Sequence, residues 1–219
     1  EKKFVSSVRD VVEAGGVVLV PAFAVSRAQE IMCVLEAHGF RKPVAIDGMA
    51  VKILDIFLEN SKYVDGYELL YAASKHVTRI TDRRKRKRVI KRPGVIISPA
   101  GMLKGGPAVF YMGKVAEDEK AAVFLVSFQI PGTPGARLLE EGRFAVGDID
   151  VKVKARVEQF KFSAHAGRRE LREYLRRLDP GRKVFVIHGE PEACEDLANY
   201  ANEIGHEAVV PELRRGYTI

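Results

Sequence analysis

Two periodicities alternate along the chain. Residues Glu1 to Ala14 place Phe4, Val8, Val11 and Val12 on one stripe, which predicts an amphipathic helix. Gly15-Gly16 ends it, and Val17-Val18-Leu19-Val20 is wholly apolar, the pattern of a strand buried on both faces of a parallel sheet. Pro21 to Val25 reads as a turn. Ser26 reads as the cap of a helix with Ala28, Ile31, Met32 and Leu35 on its buried face, Gln29 completing a capping box, and His38-Gly39 at its end. The same unit recurs. Pro43 to Ile46 is a strand, Asp47-Gly48 a turn, and Ala50, Ile53, Leu54, Phe57 and Leu58 mark a helix. Gly94 to Ser98 is a strand, Pro99 to Gly106 a glycine-rich turn, and Pro107 to Ala116 a helix with proline near its start. Ala122 to Val126 is a further strand, followed by Gly132-Thr133-Pro134-Gly135. Strands alternating with helices of this length predict right-handed crossovers and an α/β fold with a parallel sheet.

The pattern weakens between Asp65 and Lys91, where a helix through Leu69-Leu70-Tyr71 gives way to Asp82 and the unbroken basic run Arg83 to Arg88. Around Glu141 to Val151 the character changes again: Gly142, Gly147 and alternating Val and Ile suggest a hairpin. We place a domain junction near Arg143, dividing residues 1–143 from 144–219. Beyond it Val153, Ala155 and Val157 lead as a half-buried strand into Phe160 to Gly167, which ends in Ser163 and His165 just before a helical stripe, Leu171, Leu175 and Leu178. Lys183 to Ile187 is a second short apolar run with His188-Gly189-Glu190 past its end. Polar clusters at strand exits that open onto helices are where open α/β sheets place ligand chemistry. A helix over Cys194, Leu197, Ala201 and Ile204 and a strand at Ala208 to Val210 complete the pattern.

Composition narrows the classes. With 219 residues, 47% hydrophobic and 30% charged, the chain can bury one large or two modest cores and is not of disordered composition. No apolar run approaches the roughly 20 residues of a membrane span. The two cysteines, Cys33 and Cys194, form no C-x-x-C and read as reduced thiols of a cytoplasmic protein. A formal charge of +7 is compatible with a polyanionic partner. The basic run reads either as a solvated face or as a phosphate-contacting patch.

Two stretches suit an anion more specifically. In Pro99 to Gly106 successive glycines let backbone N–H groups approach a phosphate at a helix start, though no Gly-Lys-Ser/Thr makes it a Walker loop; a tight turn without a ligand is the other reading. Arg27 lies in a first helical turn, where a cation opposes the helix dipole, which favours a role toward a phosphate or carboxylate. A Rossmann-type nucleotide module is disfavoured, because no G-x-G-x-x-G follows the first strand. Of five histidines, His38, His76 and His206 read as incidental; the remaining pair is too few for a hydrolytic metal site, which needs three protein ligands.

Six stretches occur together in an order that resembles the β-CASP family: VPAFAVSRAQE at 20–30, DGMA at 47–50, SPAGMLKGGP at 98–107, GTPG at 132–135, FSAH at 162–165 and VIHGE at 186–190. These are metallo-β-lactamase-fold nucleases that include ribonuclease J and the nuclease subunit of the cleavage-and-polyadenylation machinery. The resemblance covers nearly the whole chain. It implies a parallel-sheet β-CASP domain over 1–143 followed by the C-terminal part of a metallo-β-lactamase αββα fold over 144–219. His165 matches the family's motif B histidine, a proton donor to the leaving oxygen, and His188 matches motif C, a ligand to one of two zinc ions. The paired zincs would hold a hydroxide for in-line attack on a phosphodiester. Arg27, Ser98, Gly101, Lys104, Gly105, Gly106 and Ser163 would hold the RNA backbone.

The function so implied is the C-terminal portion of a zinc-dependent RNA-processing ribonuclease. Its expected partners are RNA, a preceding metallo-β-lactamase region and, as a candidate, a second copy of the chain; a membrane is not among them. The family's H-x-H-x-D-H motif and its other upstream ligands have no counterpart here, and the chain opens with Glu1 rather than Met. The expectation for these residues alone is therefore no nuclease activity and weak zinc binding. Gly167 stands where relatives commonly carry an aspartate. A non-catalytic RNA-binding subunit and a DNA-directed nuclease of the same fold are the alternative readings.

Overall fold

The computed structural model describes residues 1–162 and 165–217. They form two compact units, Glu1–Phe162 and the residues that follow. In the first, α1 (Lys2–Glu13), β1 (Val17–Pro21), α2 (Arg27–Ala37), β2 (Val44–Asp47), α3 (Met49–Glu59), α4 (Tyr67–Lys75), β3 (Val77–Ile80), α5 (Arg83–Val89), β4 (Gly94–Ser98), α6 (Pro107–Val115), β5 (Ala122–Leu125) and α7 (Pro134–Glu141) alternate, before the strands β6 (Arg143–Val146), β7 (Ile149–Lys152) and β8 (Arg156–Gln159). Six strands make one sheet in the order β3-β2-β4-β1-β5-β8, with every neighbouring pair parallel. The α/β class and parallel sheet expected from the alternation are present.

The apolar runs explain the layering. In β1, Val18 and Val20 point into a core shared with α1, α2, α3 and α4, while Val17 and Leu19 point into a core shared with α6 and α7. A strand covered on both faces cannot alternate polar with apolar, hence VVLV. Phe4 of α1 meets Phe160 and Phe162 edge-on at centroid distances of 5.2 and 5.3 Å, closing the first core where β8 ends. Full burial of a side chain such as Phe4 or Phe124 contributes about 1.5–3 kcal/mol.

The start of α2 departs from the sequence reading. Ser26 stands at the N-cap of α2 at φ 65° but makes no side-chain cap bond. Gln29 closes no capping box; its amide is buried and donates to the carbonyls of Ala24 (3.1 Å) and Ala50 (3.0 Å), tying the β1 exit to α3. The basic run is a helix, α5, opened by Asp82, whose carboxylate accepts from the Lys85 amide at 2.8 Å. The expected junction near Arg143 falls at the start of the β6–β7 hairpin, inside the first compact unit. That unit continues because β8 pairs with β5 from Ala122↔Arg156 to Leu125↔Gln159.

In the second unit, β9 (Lys183–Phe185) and β10 (Glu207–Val209) pair in parallel and pack against α8 (Arg168–Arg176) and α9 (Pro191–Glu203). Arg168 and Arg172 of α8 both reach Asp196 of α9, at 2.5 and 3.2 Å. His206 is buried, its Nε2 3.0 Å from the Leu175 carbonyl oxygen, so the residue read as incidental in a turn joins the end of α8 to the start of β10. No helix among the described residues is long and apolar enough to cross a membrane.

Candidate nucleic-acid interface

Strand order creates a crevice at the C-terminal edge of the sheet. β1 and β4 are neighbours, but β1 feeds α2 on one face and β4 feeds α6 on the other. The chain therefore parts above them, which is the switch point where open α/β sheets bind ligands. The residues from Ala22 to Ser26 and from Pro99 to Gly106 form its two lips.

These lips touch through backbone. The Ala22 amide donates to the Ser98 carbonyl at 3.0 Å. A Cβ on Gly101 would lie 3.2 Å from the Phe23 nitrogen and 3.3 Å from the Ala22 carbonyl carbon, so glycine is what this approach admits. Gly106 sits at φ +71°, where a Cβ would also press on the Pro99 carbonyl oxygen at 2.9 Å. The segment leading into α7 braces the loop from the other side: Gln129 donates to the Gly101 carbonyl at 3.2 Å, and the Gly135 amide to the Met102 carbonyl at 3.1 Å. The loop is thus held rigidly while the amides of Lys104, Gly105 and Gly106 have no acceptor among the described residues. Lys104 itself is exposed. Backbone N–H groups and a lysine at the start of α6 make a surface suited to a phosphate oxygen.

The other expected contacts are placed differently. Ser98 is fully buried, with its Oγ donating to the Pro99 carbonyl at 3.3 Å, so its hydroxyl steadies the loop from beneath. Arg27 stands at the lip with its guanidinium on Glu30 at 2.5 Å and 6.0 Å from the Phe162 ring centre. Phe23 and Met49 line the rim about half exposed, and Phe128 is 71% exposed.

Beneath the crevice lies a group that sequence reasoning missed. Asp47, the last residue of β2, has no exposed surface. Its carboxylate accepts from Arg86 Nε at 2.7 Å, from Arg86 Nη2 at 3.0 Å and from the Tyr111 hydroxyl at 2.7 Å. The carboxylate beside it raises the Arg86 guanidinium above its ordinary range. Burial first, and then Asp47, push the Tyr111 phenol far up, so that it remains a donor. One arginine of the basic run is therefore committed to a buried carboxylate and not to a phosphate. It fastens α5 and α6 to the end of β2. The sequence signals were an aspartate closing an apolar run, which resembles a turn residue, and its place in the DGMA stretch at 47–50; neither points to Arg86 or Tyr111.

His165 and His188 both belong to the second unit. His165 is exposed two residues before the Gly167 N-cap of α8, where the Gly167 amide donates to Glu170 at 3.1 Å. His188 is exposed beyond β9 at φ 64°, a left-handed conformation uncommon outside glycine. The chain there turns tightly: a Cβ on Gly189 would stand 2.9 Å from Cys194 Sγ. Each histidine precedes one of two helices clamped together by Asp196. Ser163 lies outside the described residues. Among the described residues no group of three or more His, Cys, Asp or Glu side chains could hold a metal ion.

The Beta-Casp domain model matches residues 28–138, and a model described as a Zn-dependent metallo-hydrolase RNA specificity domain matches residues 150–211. The chain is 44% identical over 213 residues to RNase aCSPSF2 of Saccharolobus solfataricus, covering 97% of this chain and 43% of that protein. It is 33% identical over 217 residues to the probable RNase MJ4 of Methanocaldococcus jannaschii, covering 97% and 50%. It is 34% identical over 226 residues to the transcription termination factor FttA of Pyrococcus horikoshii, covering 90% and 34%. The chain thus spans half or less of the length of these relatives.

Proposed function

Because the chain belongs to the β-CASP family of metallo-β-lactamase-fold nucleases, we propose that it is the RNA-holding and proton-donating part of a zinc-dependent RNA-processing ribonuclease. Residues 1–143 serve as the β-CASP cassette and 144–219 as the last part of the metallo-β-lactamase fold. The observation that carries this reading is the braced loop at the switch point, with three open amides and an exposed Lys104.

Each residue then has a distinct task. The amides of Lys104, Gly105 and Gly106 donate to one phosphate of the RNA, and Lys104 adds a point charge. Arg27 exchanges Glu30 for a second phosphate, and Phe23 offers a ring to a base, since unstacked bases cover exposed aromatic faces. His165 gives its proton to the departing oxygen, a role for which imidazole suits neutral pH.

His188 contributes one imidazole toward zinc. A hydrolytic zinc centre takes about three protein ligands, so the described residues do not hold the ion by themselves, and the remaining donors belong to the longer protein. When bound, the metal supplies Lewis acidity toward the phosphodiester. The test is made in that longer protein, with His188→Ala and His165→Ala compared for bound zinc and for cleavage of a labelled RNA. His188→Ala is expected to lower both zinc content and cleavage, and His165→Ala to abolish cleavage at unchanged zinc. Full cleavage by both variants would refute the assignment.

A further inference from the structure

The positive charge of this chain is concentrated in one place. Residues Arg79 to Arg92 hold nine of the 36 Lys and Arg and one of the 29 Asp and Glu. The remaining 27 cations face 28 carboxylates, so the whole net excess resides in β3, α5 and the turn into β4. Such a concentration is unneeded for helix stability, since like charges one turn apart repel. It is also not a simple solvated face, because part of it lines a groove.

Between α5 and the starts of β2, β3 and β4 lies a cavity of about 730 Å³. Its floor is buried strand, its accessible apolar lining includes Val89 and Pro93, and its cations are Arg79, Lys85, Arg88 and Arg92; no carboxylate lines it. The cations are not equivalent. Arg79 is engaged by Asp55 at 2.5 Å, and Lys85 lies 3.0 Å from the Thr81 hydroxyl. Arg88 and Arg92 are exposed and have no carboxylate partner among the described residues. Arg86, with its guanidinium on Asp47, holds the helix in place.

We propose that this groove is a second binding site for single-stranded RNA, separate from the switch-point loop. Phosphates rest on Arg88 and Arg92, and unstacked bases lie over Val89 and Pro93. A single strand fits better than a duplex, because paired bases have no free face or edge to cover Val89 and Pro93. It fits better than a lone phosphate, because the cavity is of the size that encloses a nucleotide-sized ligand. The proposal rests on the reading above that the protein works on RNA.

The test uses the 219-residue chain and a labelled 12-nucleotide oligo(U), with affinity measured against salt concentration. Arg88→Gln with Arg92→Gln is expected to lower affinity about tenfold and the slope of log K against log salt by about 1.4, at roughly 0.7 per phosphate contact of a single strand. Thermal unfolding checks that this exposed pair leaves the fold intact. Lys62→Gln with Lys75→Gln removes the same charge from elsewhere and is expected to change affinity less than twofold. An equal loss in that control would overturn the groove in favour of bulk charge. A blunt duplex of the same length is expected to be insensitive to the Arg88 and Arg92 changes; an equal loss there would overturn it too. If Lys104→Gln weakens oligo(U) binding while Arg88→Gln with Arg92→Gln does not, the groove is wrong and the switch-point reading stands. If the chain binds no RNA at all, both fall together.

Discussion

The buried carboxylate beneath the crevice makes an unequal pair of neighbours out of two residues that look alike in the sequence. Arg86 and Lys87 stand side by side in the basic run, yet only Arg86 reaches Asp47. Arg86→Gln would leave a carboxylate with no exposed surface and the Tyr111 hydroxyl as its remaining partner. Breaking a buried pair in this way costs about 3–5 kcal/mol. The Arg86 side chain keeps 27% of its surface in water, so solvent can reach part of the vacated space and the lower end, about 3 kcal/mol, applies. In a unit of this size that is a fall in Tm of about 6–12 °C. Lys87→Gln removes the same charge from an exposed position and is expected to stay within about 0.5 kcal/mol of the parent. Urea unfolding followed by far-ultraviolet circular dichroism measures both. The double variant Asp47→Asn with Arg86→Gln is expected to recover part of the loss, because two neutral amides leave no stranded charge. Equal stability of the Arg86 and Lys87 variants would refute the view that this ion pair anchors α5.

Glycine positions offer predictions of opposite sign. Gly16→Ala would set a Cβ 1.9 Å from the Lys120 carbonyl oxygen, and a loss of about 3 kcal/mol is expected in the same urea assay. Gly113→Ala, inside α6 with only Ile149 Cδ1 at 3.4 Å, is expected to raise stability by about 0.5 kcal/mol. Burial, with Glu30 and Glu36 nearby, pushes the Cys33 thiol up to about 11. The unfolded thiol therefore ionises first as pH rises, and stability should fall between about pH 9 and 11 more in the parent than in Cys33→Ala, read from urea midpoints at pH 8 and 10. Glu30→Gln releases Arg27 and is expected to tighten oligo(U) binding about twofold, as for an ion pair with one exposed partner worth a few tenths of a kcal/mol, whereas Arg27→Gln should weaken it.

The regular elements were legible wherever burial imposed a pattern. VVLV, VAID, GVIIS and AVFL in β1, β2, β4 and β5 are nearly all apolar because helices cover both faces, and glycine or proline punctuates the segments between them. β3 and α5 carried little signal, since VTRI lies at the sheet edge with one residue buried and α5 has none. The switch-point loop was legible through its glycines, whose absent side chains answer to local backbone. Asp47, Arg86 and Tyr111 were not, because they are 39 and 64 residues apart in sequence and meet only through the tertiary fold. Gln29 was misread for the same reason: a good capping residue by spacing, it was drawn instead to the carbonyl of Ala50, on the following helix.

The central position of β1 has a consequence during synthesis. Its two flanking strands come from residues 94–98 and 122–125, whereas β1 itself is complete at residue 21. A nascent chain emerging at about 5–20 residues per second leaves both edges of VVLV unpaired for about 4–15 s before β4 exists to meet it. During that interval neither strand that pairs with β1 in the fold is there to close its edges, which exposes this apolar segment to aggregation.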